Sequence, residues 1–230
     1  MKNQIKSALL AAAVGVVATS TQAALNNGDL LIGFTSQSGN DLMYDLGNAS
    51  TLTDGQTWDL SSLLTGFSLN TVNWGVIGDQ KISGTGNVWT TTPIGNPIPS
   101  TLASISAWGQ LDTAQASIFS GFTTAAAGQS LSVDASTQNS WNQQTITGAL
   151  TTQYHNVYAN PNVVGLTSDN FYQIIANSSA PTLLGGFSLA GNGVVTYTVS
   201  AVPEPSSYAL FTVTGLLALC LRNHLRRKQS

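Results

Sequence analysis

Gly193-Val-Val-Thr-Tyr-Thr-Val-Ser200 is the stretch whose reading decides the fold. Val195, Tyr197 and Val199 alternate with Val194, Thr196 and Thr198, the period-two pattern of a strand with two unlike faces. Nearly every position is β-branched or aromatic, which suits a pleated surface. Gly191-Asn192-Gly193 in front of it is a turn signal, and residues 182–189 lie on the other side of that turn. The two stretches predict an antiparallel hairpin that closes the domain.

Further strands follow from the same pattern. Residues 29–34, Asp-Leu-Leu-Ile-Gly-Phe, are an apolar run of strand length. Residues 40–46 follow a Ser38-Gly39-Asn40 turn and put Leu42, Tyr44 and Leu46 on one face, so these two runs predict an N-terminal hairpin. Residues 72–77 alternate through Val72, Trp74 and Val76, and Gly78-Asp79 ends them. Residues 87–91 and 171–175 are shorter strands. Leu63-Leu-Thr-Gly-Phe-Ser-Leu69 echoes Leu183-Leu-Gly-Gly-Phe-Ser-Leu189; two similar strands in one sandwich explain the echo as well as a duplication does.

The middle is different. Residues 101–128 carry a helical period in parts, with Asp112 or Thr113 as a cap for a helix running to about Ser120. Residues 136–152 are polar around Trp141, Ile146 and Leu150, a second weak helix or a long loop, and Pro93, Pro97 and Pro99 stiffen the approach. The expected fold class is mainly β: an antiparallel β-sandwich-like domain over residues 24–202 with a helical or irregular central insertion.

Both chain ends read as addresses. Lys2 and Lys6 precede an apolar run, residues 8–18, and small residues follow, so residues 1–23 are expected to be a secretory signal peptide cleaved between Ala23 and Ala24. Residues 203–228 have three parts: Pro203-Glu204-Pro205, a sixteen-residue charge-free stretch at 206–221, and a basic end with Arg222, Arg226, Arg227 and Lys228. The stretch is short for a single transmembrane helix, which wants about 20 residues. The basic cluster would hold its end in the cytoplasm and leave everything before Pro203 outside. The two prolines make a stiff spacer between domain and membrane.

In order, spacing and type, the residues from Pro203 to Lys228 resemble the PEP-CTERM sorting signal of Gram-negative bacteria that make exopolysaccharide. The resemblance implies recognition by an exosortase, a membrane cysteine protease of transpeptidase type. The exosortase would cut near the motif and release the protein to the cell surface or extracellular matrix. In that setting Pro203, Glu204 and Pro205 are substrate features. The rest of the chain also resembles a set of PEP-CTERM proteins, through residues 28–34, Tyr44-Asp-Leu-Gly47, Trp74-Gly-Val-Ile-Gly78 and the closing Gly-Phe-Ser-Leu hairpin. That resemblance carries no assigned biochemistry. The partners implied are Sec-type secretion machinery, signal peptidase, the exosortase, the inner membrane during transit and exopolysaccharide of the biofilm.

Composition narrows the function classes. The whole chain has a formal net charge of −3, but six of its seven Lys and Arg residues sit in the two ends. Between residues 24 and 202 nine aspartates face Lys81 alone, a net of about −8. Such a domain cannot bind nucleic acid by neutralising phosphates. The single cysteine, Cys220, is in the tail, so the domain has neither disulfides nor thiol chemistry. His155 is the domain's one histidine, too few for a zinc site and a thin basis for a Ser-His-Asp site, and no Gly-x-Ser-x-Gly elbow occurs. Calcium needs only oxygens, but no Asp-x-Asp-x-Asp-Gly loop is present and Asp41 and Asp45 stand at strand spacing. The domain has no Glu for glycosidase chemistry, and its aspartates, mostly beside Gly or Asn, read as solvated turn acids. Trp58, Trp74, Trp89, Trp108 and Trp141 are core candidates first and sugar-stacking candidates second. The expectation is a non-enzymatic exported surface or matrix protein without cofactor, catalytic residue or metal. A secreted carbohydrate-binding or adhesion module is the alternative, and a secreted hydrolase using His155 a more remote one.

Overall fold

The computed structural model describes residues 27–82, 85–96, 105–122, 127–147, 161–177 and 180–200. The expected signal peptide with Ala23 and Ala24, the tail from Pro203 to Lys228, and His155 lie outside these residues, as do the side chains of Lys81 and Trp108. Among the described residues no helix is long and apolar enough to cross a membrane.

The fold is mainly β and antiparallel. Strands β1 (Asp29–Thr35), β2 (Asn40–Asn48), β3 (Thr57–Asp59), β4 (Asn73–Ile82), β5 (Thr85–Pro93), β6 (Ser130–Asp134), β7 (Val163–Val164), β8 (Asp169–Ile175), β9 (Thr182–Leu189) and β10 (Val194–Val199) join one sheet. Its order is β3-β10-β9-β8-β5-β4-β1-β2-β6, with β7 added on β4. The expected sandwich is therefore corrected to one continuous sheet that curls into a half-barrel. The predicted hairpins 29–46 and 182–199 are present, with Ile32 opposite Tyr44 and Tyr197 opposite Phe187.

A single sheet suffices because each face has its own cover. Leu30, Ile32 and Phe34 point to the concave side, where they join Leu42, Trp74, Val76, Phe171, Phe187 and Tyr197 in the larger cluster. The intervening Leu31 faces the convex side with Met43, Ile77, Val88 and Ile174. Covered on both faces, β1 is buried along its whole length, which is why it reads as an unbroken apolar run. Phe171, Phe187 and Tyr197 meet edge-on or tilted at 5.1–6.0 Å between ring centroids.

Two helices cover the convex face. Helix α1 (Ile105–Phe119) presents Ala114 and Ile118, one turn apart, and Phe122 follows just beyond its end. Asp112 lies inside this helix, not at its start, so the expected cap is corrected: the helix begins earlier in the chain. Helix α2 (Trp141–Thr145) is short but firmly started. The Ser140 hydroxyl accepts from Gln143 N at 3.1 Å and Asp41 Oδ2 accepts from Asn142 N at 2.6 Å, which satisfies two otherwise unpaired N–H groups.

Glycines set how closely these covers approach. Gly33 of β1 is opposite Gly75 of β4. The ring of Trp141 lies on Gly33, and the carbonyl of Pro161 lies on Gly75, where any Cβ would collide. The Thr91 hydroxyl donates to that same Pro161 carbonyl at 2.6 Å. The motifs around Gly33 and Gly75 thus mark a bare patch on the sheet against which other backbone and ring atoms pack.

Some expectations differ from the structure. The strand at 72–77 continues past Gly78-Asp79 to Ile82, because β5 keeps pairing it out to Thr85. The echo at 63–69 is no strand. It folds into turns, with Leu64 N bonded to Leu60 O and Phe67 N to Leu64 O, and buries Leu60 and Leu64 in the concave core. The two similar words therefore sit in different structures, since only Leu183–Leu189 has a hairpin partner.

Candidate functional site

The concave mouth of the half-barrel carries a groove of about 620 Å³. Ser36, Ser38 and Asn40 from the β1–β2 turn and Ser130 and Ser132 of β6 line one side; Ser62, Leu63 and Phe67 of the turn segment after β3 line the other. Among the described residues no charged side chain lines it. Phe67 is half-buried and braced from behind: its ring lies 6.4 Å from Phe34, which stacks at 6.4 Å and 25° on Trp74. Trp74 is held by Nε1 donating to Gly165 O at 2.9 Å. The groove therefore combines hydroxyl and amide groups of both hydrogen-bonding senses with one rigid aromatic face and Leu63. That set can hold an uncharged, polyhydroxylated ligand.

The four tryptophans with described side chains serve the core. Trp74 and Trp141 are fully buried and Trp89 nearly so, and Trp58 is half-buried with its ring 6.1 Å from Phe187. Sugar stacking by Trp74, Trp89 or Trp141 is closed off by burial.

The aspartates correct an expectation. Asp29, Asp41, Asp45, Asp112 and Asp169 are buried rather than solvated, while Asp54, Asp59 and Asp134 are exposed. The buried ones serve main-chain groups where the ladder is irregular. Asp45 Oδ1 accepts from Gly47 N at 2.8 Å beside the register shift of β1 and β2. Asp169 Oδ1 accepts from Phe187 N at 2.8 Å, near the shift between β8 and β9. Burial raises the pKa of Asp41, of Asp45 (with Asp29's like charge adding to it) and, most strongly, of Asp169. The Phe187 N–H bond pulls the Asp169 pKa the other way, while the nearby Thr91 hydroxyl donates to the Pro161 carbonyl instead. Among the described residues no three acidic, histidine or cysteine side chains come together in a way that could hold a metal ion.

A second concavity, about 670 Å³, is lined by Pro93, Ile94, Val163, Val164 and Thr167. It is mostly apolar and open, with Ile94 and Val164 more than half exposed. Asn162 and Ser168 add the polar part of its described lining.

The groove escaped the sequence because its parts come from three separated segments. The one local signal was Leu60, Leu63, Leu64 and Phe67, whose i, i+3, i+4, i+7 apolar spacing suits a helical turn segment better than a strand. Searches of protein-family models, of curated protein sequences and of solved structures return no match to this chain.

Proposed function

We propose that this chain is a non-enzymatic exported protein of the cell surface or extracellular matrix, sorted by an exosortase. The observation that carries the reading is the three-part tail: Pro203-Glu204-Pro205, the apolar stretch 206–221, and Arg222, Arg226, Arg227 and Lys228. Secretion machinery exports the chain, signal peptidase cuts after Ala23, the tail parks it in the inner membrane, and cleavage beside the motif releases it. The domain's end supports this division. Strand β10 ends at Val199 and Ser200 N is tied to Leu184 O at 3.0 Å, so the last described strand closes three residues before Pro203.

The test is intact-mass and C-terminal peptide mapping of protein recovered from cells and medium. A C-terminus near Pro203–Pro205 in the surface or medium fraction is expected. A chain still ending at Ser230 in the inner membrane would overturn the sorting step.

The groove favours one addition: the domain holds a neutral glycan, such as exopolysaccharide, through hydroxyl contacts and the Phe67 face. Phe67→Ala is expected to weaken retention on the producing cell's purified polysaccharide about tenfold, the scale of one lost aromatic contact. Unchanged retention by the folded variant would sink the assignment of the groove. Changes at the buried tryptophans would not test it, since they act on the core.

A further inference from the structure

The sheet order ends at β6, and among the described residues the outer side of this strand has no partner. The register with β2 shows which groups face outward. Ala135 N donates to Gly39 O and Asp45 N donates to Gln129 O, so residues 131 and 133 bond inward to β2. The N–H and C=O of Ser130 and Ser132, and the N–H of Asp134, therefore point away from the sheet; the Asp134 carbonyl accepts from Thr137 N at 2.9 Å. Ser130, Ser132 and Asp134 are exposed, and Leu131 and Val133 are half-exposed at the rim of the convex core. Neither proline nor lysine guards the edge.

We infer that β6 is a self-complementary edge through which two copies of this chain pair, antiparallel, about a two-fold axis at Ser132. In that register Ser132 meets its own counterpart and exchanges two main-chain bonds with it. Leu131 lies opposite Val133 of the second copy, twice, so the half-exposed apolar rim is covered by an apolar rim. Ser130 lies opposite Asp134, which places a hydroxyl donor against the one carboxylate and keeps the two carboxylates apart. A register centred on Leu131 would set Val133 against Gln129 and lose the apolar pairs. The other edge strand, β3, has three residues and offers Thr57 and Asp59 instead, so heterologous pairing lacks this match. An isologous contact closes on itself and gives a dimer, with no open chain of subunits.

Five residues span only about 17 Å, so the contact is small and its association weak and concentration-dependent. The domain's net charge of about −8 opposes it, and salt screens that repulsion.

The test is sedimentation equilibrium of the full chain in mild detergent, with Cys220→Ser. Mass is expected to rise towards that of a dimer with concentration, and association to strengthen severalfold at high salt. Ser132→Pro should weaken association about tenfold or more without altering far-UV dichroism, because the lost N–H points away from β2. Ser132→Cys, oxidised, should give a disulfide-linked dimer, since directly opposed residues lie about 5.5 Å apart at Cα. Ser62→Cys, on the turn segment, should not. A monomer at all concentrations, or association equal in Ser132→Pro, overturns the proposal. Where Ser132→Pro unfolds the chain, the crosslink decides: equal crosslinking at Ser62 and Ser132 overturns it.

Discussion

Trp141→Ala is expected to destabilise the domain by about 3–5 kcal/mol, the cost of emptying a fully buried large aromatic site. Trp141 has no exposed surface, its ring lies against Gly33, and its Nε1 donates to Asn162 Oδ1 at 2.7 Å. The loss removes the largest side chain from the convex core and the bond that ties α2 to the segment before β7. Denaturant unfolding followed by fluorescence and far-UV dichroism measures it. The same contact predicts a second result. Gly33→Ala puts a methyl where the ring now sits, so it should destabilise on its own, by roughly 1–3 kcal/mol for forced overpacking. In the double variant the methyl enters the space the ring has left, so the two costs should fall short of adding. Strict additivity would mean that Trp141 does not pack on Gly33.

The second large effect is a dependence of stability on pH that runs opposite to ordinary acid denaturation. Asp169 is buried, and burial raises its pKa well above the usual carboxylate value. The folded state thus binds its proton more tightly than the unfolded chain does. Stability from this group is fully present below the unfolded pKa of about 3.9, and is lost as pH rises through the folded value. The slope is at most about 1.4 kcal/mol per pH unit for one proton. Asp41 and Asp45, also raised, act in the same sense. Asp59 and Asp134 are lowered by hydrogen bonds from Ser61 and Ser136, but both are fully exposed and oppose the trend only weakly. Asp169→Asn keeps an acceptor for Phe187 N and removes the titration. Unfolding midpoints taken from pH 4 to pH 8 should fall with pH in the wild type and flatten in Asp169→Asn. Asp169→Ala should instead lose about 1–3 kcal/mol at every pH, since Phe187 N–H is left without its acceptor. Equal slopes in wild type and Asp169→Asn would show that Asp169 titrates normally.

These two effects share a cause with what was and was not legible in the chain. The strands 29–35, 40–48, 182–189 and 194–199 could be read directly, because a half-buried or fully buried strand writes its period into consecutive residues. The same local logic carries the expected leader and sorting tail, both proposals on residues outside the described ones. Strands β3, β6 and β7 were missed, being only two to five residues long, too short for a period to show. Their pairing is imposed by neighbours.

What the sequence by itself determined is the β class and the two end hairpins; it left the middle as helical or irregular and raised export as an expectation. Only the tertiary structure decided that the strands form one curled sheet with a core on each face, because alternation shows that a face is buried without showing what covers it. It also decided the state of the acids. An aspartate beside glycine is written identically whether water solvates it or a bulge claims it, and Asp45 and Asp169 are claimed by main-chain N–H groups supplied by other residues. The groove and the open edge of β6 belong to the same category. Each is made by segments distant in the chain, brought together by register and curvature that no local pattern encodes.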